Sequence, residues 1–135
     1  MKTVFVDANV FLRFFTIDNL GQHDQAARLL RQAADGKVAL ITGPPVLFEV
    51  AWALRSAYRQ TNAKVLDVLA AIAALPGLQL TDARIVEGAL TLAKASGQEF
   101  ADAYIASAAG AVGADEVATF NRRHFDKLGV ALYAF

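Results

Sequence analysis

The sequence has no cysteine, and that absence excludes disulfides, thiolate zinc centres and cysteine nucleophiles together. Histidine is almost as scarce. The 2 residues, His23 and His124, stand far apart without a zinc-ligand spacing, and both are expected at the surface. Charge is thin, at 19% of residues, and the 13 basic side chains are balanced by 13 acidic ones. A neutral chain does not capture nucleic acid by broad electrostatics, so such a partner would need a local basic patch. Long apolar runs are missing too. The longest uncharged stretch near the middle, Val68 to Thr81, is interrupted by Pro76, Gly77 and Gln79, whereas a membrane helix needs roughly 20 apolar residues. Asp7 breaks the apolar start MKTVFVDANV, so no signal peptide is expected and a cytoplasmic location is.

What the chain does have is apolar mass: 56% of its 135 residues are hydrophobic. That is enough for a folded core, and the length suits a single domain over 1–135. No repeat, low-complexity segment or linker interrupts it.

Punctuation falls between short elements. Thr3–Val6 reads as a buried strand and Ala8 to about Phe15 as a helix. In Gln22–Asp35, Ala26, Leu29, Leu30 and Ala33 share one helical face, and Gly36 is the stop. Val38–Thr42 is a second strand, after which Gly43-Pro44-Pro45 opens a helix to about Tyr58. Val65, Val68, Leu69 and Ile72 mark another helix, ended by Pro76-Gly77, and Leu78–Leu80 is a third strand. Asp82 is placed to cap a helix carrying Val86, Ala89, Leu90 and Ala93. Phe100 to about Val112 is nearly all apolar and is expected to be buried. Glu116–Phe120 and Val130–Tyr133 supply two last strands with a short helix between. Short apolar strands alternating with helices predict an α/β fold whose parallel sheet is covered on both faces.

In such sheets ligands bind beyond the carboxyl ends of the strands. Asp7 follows the first strand, and Glu49 lies in the helix after the second. Asp102 is the only charge between Glu99 and Asp115, at the start of the apolar helix, and Asn121 follows the fourth strand. Each alone has a plain structural role as a cap or turn residue. Glu49 is the odd one, because Pro45, Val46, Trp52 and Ala53 at helical spacing carry no charge, and a desolvated carboxylate needs a partner. An arginine such as Arg13 or Arg55 could serve. Together the three acids and the amide form a set, and clustered carboxylates require a cation between them. Oxygen donors without thiolate or imidazole select Mg²⁺ or Mn²⁺. Arg55, Arg59, Lys64, Arg122, Arg123 and Lys127 are candidate phosphate contacts.

Four segments, VDANVFLRFF, PPVLFEVAWAL, EFADAYIASA and ATFNRRHF, resemble the motifs of PIN domains, most closely those of VapC-type toxins. The likeness spans nearly the whole chain in the right order. It implies a three-layer α/β/α fold with a five-stranded parallel sheet in the order 3-2-1-4-5. It also implies a magnesium-dependent RNA endonuclease, a homodimer, and neutralisation by a cognate antitoxin. Carried over residue by residue, Asp7, Glu49 and Asp102 are the metal-site acids, and Asn121 stands where the family often has a fourth aspartate. An amide brings no negative charge, so Glu99 or Asp126 is the candidate to supply it, and Thr119 is a candidate to hydrogen-bond the site. The family chemistry implies in-line attack by water, leaving 5′-phosphate and 3′-hydroxyl ends. A haloacid-dehalogenase-like phosphatase would need a second aspartate two residues after the first, where Asn9 stands. The alternative of another class is a catalytically inactive PIN fold that binds RNA or protein.

Overall fold

A computed structural model describes residues 1–135, which divide into two compact units, Met1–Ala83 and Arg84–Phe135. The first unit holds all the sheet. Its strands β1 (Thr3–Phe5), β2 (Ala39–Thr42) and β3 (Leu78–Leu80) pair in parallel in the order β1-β2-β3. Val4 stands opposite Leu40, and Leu40 opposite Leu78.

Local chemistry sets the helices between them. α1 (Ala8–Phe15) starts at Asp7, whose Oδ1 accepts from the Ala8 N–H at 2.7 Å. α2 (Leu20–Ala34) starts at Asn19, whose side chain accepts from Gln22 N–H at 3.0 Å. α3 (Pro44–Ser56) opens on the two prolines after Gly43, and α4 (Asn62–Ala73) is capped by Thr61. Proline suits the first helical turn because the N–H it lacks would have no partner there. The helices bury Phe11, Leu47, Val50, Leu54, Val65, Leu69 and Ile72, each contributing about 1.5–3 kcal/mol relative to exposure. α1 packs on α2 and α3, and α3 on α4.

The carboxyl edge of the sheet is tied by backbone and by one buried hydroxyl. Val6 N–H donates to Ile41 O at 2.8 Å, Thr42 Oγ1 donates to Val6 O at 2.9 Å, and Thr81 N–H donates to Thr42 O at 2.9 Å. Asp7, Gly43 and Asp82 therefore leave the strands from one edge. Asp82 does so in the left-handed region, at φ 53°.

The second unit is built from α5 (Ala83–Ser96, beginning on the last residue of the first unit), α6 (Phe100–Ala111) and the six-residue α7 (Arg122–Lys127). α5 and α6 approach closely at Gly88, where an added Cβ would meet Ser107 Oγ at 2.6 Å. The same Ser107 hydroxyl donates to Ile85 O at 2.9 Å.

Several expectations need correction. The sheet has three strands, not five. The segments read as fourth and fifth strands, Glu116–Phe120 and Val130–Tyr133, meet only in a parallel bridge between Val117 and Leu132. Glu116, Ala118 and Phe120 are all exposed, so the first segment has no buried face to favour longer pairing. The 3-2-1-4-5 order is thus present only in its β1-β2-β3 half. Nor is the sheet covered on both faces at β1, where Phe5 is 61% exposed. α6 is apolar nearly all round, yet only Phe100, Ala103 and Ala106 are buried, because small alanines leave water little apolar area to avoid. His23 is not a plain surface residue: its ring stacks on Phe14 at 5.8 Å and its Nδ1 lies 3.0 Å from Arg13 O.

Candidate functional site

Within the first unit, Asp7 is exposed at the carboxyl end of β1, with its carboxylate in the helix-capping bond to Ala8. Glu49 sits in the helix that leaves the neighbouring strand, β2. The two acids so belong to adjacent strand ends of one sheet edge. Glu49 is exposed, and so are Pro45 and Trp52 on the same side of α3, the latter at 71%. The expectation that an apolar setting forces a partner on this carboxylate is therefore incorrect: Glu49 itself reaches water, although Val46 is buried and Ala53 half-buried. Arg13 pairs with Asp18 at 3.5 Å, and Arg55 donates to Gln60 O at 3.1 Å.

Within the second unit, Asp102 comes together with His124, 22 residues on from it, and through it with Asn121, 3 residues from His124. Asp102 lies in the first turn of α6, whose N-cap is Glu99. His124 Nδ1, in α7, is 3.1 Å from Asp102 Oδ2 and 2.8 Å from Asn121 Nδ2. This ring nitrogen has one in-plane position, so it either donates to the carboxylate or accepts from the amide. The facing carboxylate favours the Nδ1–H tautomer. Asn121 is fixed from behind, its backbone N–H donating to Thr119 Oγ1 at 2.9 Å. Thr119 thus holds the backbone of Asn121. Asp126 is exposed in α7, and Glu99 is exposed at the N-cap.

Sequence reasoning set His124 aside as a surface residue, because its tie to Asp102, 22 residues away, follows only from the fold. It also missed Thr42, a fully buried hydroxyl in an otherwise apolar strand. That polar residue just before Gly43-Pro44 was the available signal.

The donor chemistry at these positions, carboxylate and amide oxygen without thiolate, fits a hard divalent cation. No group of three or more His, Asp or Glu side chains is drawn close enough to hold an ion. Mg²⁺ commonly takes one or two carboxylates and completes its shell with waters and substrate phosphate, so this donor set remains suitable. In the first unit, a cavity of about 480 Å³ lies between α1 and α2, lined by Asn9, Arg13, Gln22 and Gln25 among others. Beside it a polar network ties α1 to the end of α3. Tyr58 Oη donates to Asp18 Oδ2 at 2.7 Å. This bond first, and then the Arg13 guanidinium, hold the Asp18 carboxyl below its ordinary value. No helix is long and apolar enough to cross a membrane.

The sequence pattern of the PIN domain family matches residues 4–131. No curated protein matches the chain.

Proposed function

The chain belongs to the PIN domain family, and on that footing we propose that it is a magnesium-dependent endoribonuclease, with Mn²⁺ an acceptable substitute. PIN domains are generally nucleases that bind nucleic acids and use divalent metal ions. The finer reading is a VapC-type toxin: one PIN domain over 1–135, acting in the cytoplasm as a homodimer and held inactive by an antitoxin protein. It rests on the motif likeness at VDANVFLRFF, PPVLFEVAWAL, EFADAYIASA and ATFNRRHF.

The observation that carries the nuclease reading is the group Asp102–His124–Asn121. An acid, an imidazole and an amide gathered at a helix start have little structural work to do where they are this accessible. Asp7, Glu49 and Asp102 are assigned as the metal acids, residue by residue from the motifs. A hard cation held by these acids would acidify a water and offset the charge that develops on the phosphate. His124 engages Oδ2 of Asp102 and so orients that carboxylate. Asn121 orients the attacking water or a phosphate oxygen through its amide. Glu49, free of the backbone of α3, completes the donor set or receives a proton from the water.

Purified protein should cleave structured RNA in Mg²⁺ and stop in EDTA. Asp7→Ala and Asp102→Ala should each lose at least ~10²-fold in rate, the scale expected when a central electrostatic contact to the transition state is removed. Induction in bacterial cells should arrest growth, and induction of Asp7→Ala should not. Wild type and Asp7→Ala equally inert toward RNA, yet binding it equally, would leave a binding module in place of the enzyme.

A further inference from the structure

Aromatic side chains normally go inside, yet the second unit displays three of them together. Phe120 is 88% exposed, Phe135 74% and Tyr133 48%. They are not scattered. Phe120 and Phe135 stack with centroids 4.6 Å apart and planes 19° from parallel, and Tyr133 meets Phe135 edge-on at 5.2 Å. The backbone holds them there. Val117 N–H donates to Ala131 O at 2.8 Å and Tyr133 N–H to Val117 O at 2.9 Å. Arg122 Nη1 donates to Tyr133 O at 3.1 Å, clasping the start of α7 to the same segment.

Cations follow Phe120 along the chain. Phe120 directly precedes Asn121-Arg122-Arg123, and Lys127 ends α7, with Asp126 the one acid of that helix. Arg123 and Lys127 are exposed. In a chain of zero net charge this is a local excess of positive charge beside an aromatic surface. Immediately after Phe120 comes the Asn121–His124–Asp102 group.

We infer that Phe120, stacked on Phe135, is a base-stacking platform for single-stranded RNA, with Arg123 and Lys127 engaging the flanking phosphates. Every base has a flat π-face, so such a surface holds unpaired nucleotides with little regard to sequence. It cannot hold bases already stacked in a duplex. The exposed cations Arg123 and Lys127 complement a phosphate backbone, which favours RNA as the occupant. The inference rests on the nuclease reading for its substrate and sharpens it: the unpaired part of an RNA is delivered to Asn121 and Asp102.

Binding and cleavage separate the two. In EDTA, fluorescence anisotropy with a labelled 12-nucleotide oligouridine and with a blunt RNA duplex reads the platform alone. Phe120→Ala should weaken oligouridine binding about tenfold and leave duplex binding unchanged. Phe120→Leu keeps apolar bulk without a π-face and should lose as much, whereas Phe120→Trp should restore binding. Arg123→Gln should lower the salt dependence, by about 0.7 in slope, which Phe120→Ala should not. Circular dichroism should show all four variants folded. Phe120→Ala binding oligouridine as wild type does, or no oligouridine binding by wild type, overturns the inference. So does loss of self-association or of protein capture on Phe120→Ala with RNA binding intact, which would make the rings a protein contact. If platform-dependent binding holds but no RNA is cut in Mg²⁺, the nuclease reading fails and the platform stands. If RNA is cut at the same rate whether or not Phe120 is present, the nuclease reading stands and the platform fails.

Discussion

Each of the two units has its own internal means of cohesion. Met1–Ala83 has a parallel sheet, four helices and a buried hydroxyl joining two strand ends. Arg84–Phe135 has two helices side by side, a single turn-and-a-half helix, and one bridge. The first unit hides one polar tie, Thr42 Oγ1 to Val6 O, beneath its sheet edge, whereas the Asp102–His124 pair of the second is open, with His124 47% and Asp102 23% exposed at the side chain. Concealed contacts stabilise, because they are not shared with water, while accessible ones remain free to meet a ligand.

Two glycines sharpen the contrast most. Gly77 in the first unit and Gly97 in the second have nearly the same left-handed backbone, φ 79° and 73°. A Cβ on Gly77 would run into the carbonyl of Ala33, whereas one on Gly97 would meet open space. Gly77→Ala should cost roughly 3 kcal/mol, strain and clash together. Gly97→Ala should cost about 1 kcal/mol, from strain alone. Urea denaturation followed by Trp52 fluorescence, which reports on the first unit, and by far-UV circular dichroism measures both. Equal costs would mean the α2–β3 contact at Ala33 gives way freely.

A second pair compares hidden and open polar ties. Thr42→Val keeps shape but leaves Val6 O without its hydroxyl donor, and should cost about 1–2 kcal/mol. His124→Ala breaks an accessible pair and should change stability by no more than ~0.5 kcal/mol in chelator. A larger loss at His124, read by thermal melting, would make the Asp102 pair structural.

Smallest is the acid response of the first unit. The Asp18 carboxyl is lowered from 3.8, first by the Tyr58 hydroxyl. Its contribution is thus present above about pH 4 and is lost as pH falls through the lower folded value. Tyr58→Phe should therefore be less stable than wild type at neutral pH, with the difference closing as pH falls through the folded value. Identical melting curves for the two proteins from pH 2 to 5 would show the network contributes nothing.

The same contrast governs how much could be read in advance. In the first unit, β3 was legible because Pro76-Gly77 and Thr81-Asp82 bracket Leu78–Leu80, and Pro44-Pro45 marked α3 unambiguously. α2 begins earlier than its apolar stripe suggests, because Asn19 rather than the stripe sets its start. In the second unit, composition misled. An apolar helix looked buried, and Val117 and Phe120 looked like a strand, although neither segment has the area beneath it that burial requires. Of the candidate site, Asp102 and Asn121 were singled out by position and are joined through His124 in the fold. Glu49 was found for a reason the fold does not support, since the residue itself reaches water. Periodicity says which residues share a face, but not whether anything lies against it.

Gly43 begins α3 with no side-chain cap, and the space its Cβ would fill belongs to the hydroxyl of Thr81. Its backbone is extended, φ −157°, so conformation does not demand glycine there; only the neighbour does. The two positions therefore form one compound choice. A serine at 43, a better helix start on its own terms, becomes admissible only when 81 shrinks to alanine. A substitution at 43 taken singly will look intolerant, while the same change paired with alanine at 81 passes. Two distant letters of the chain thus behave, for the purpose of variation, as a single site.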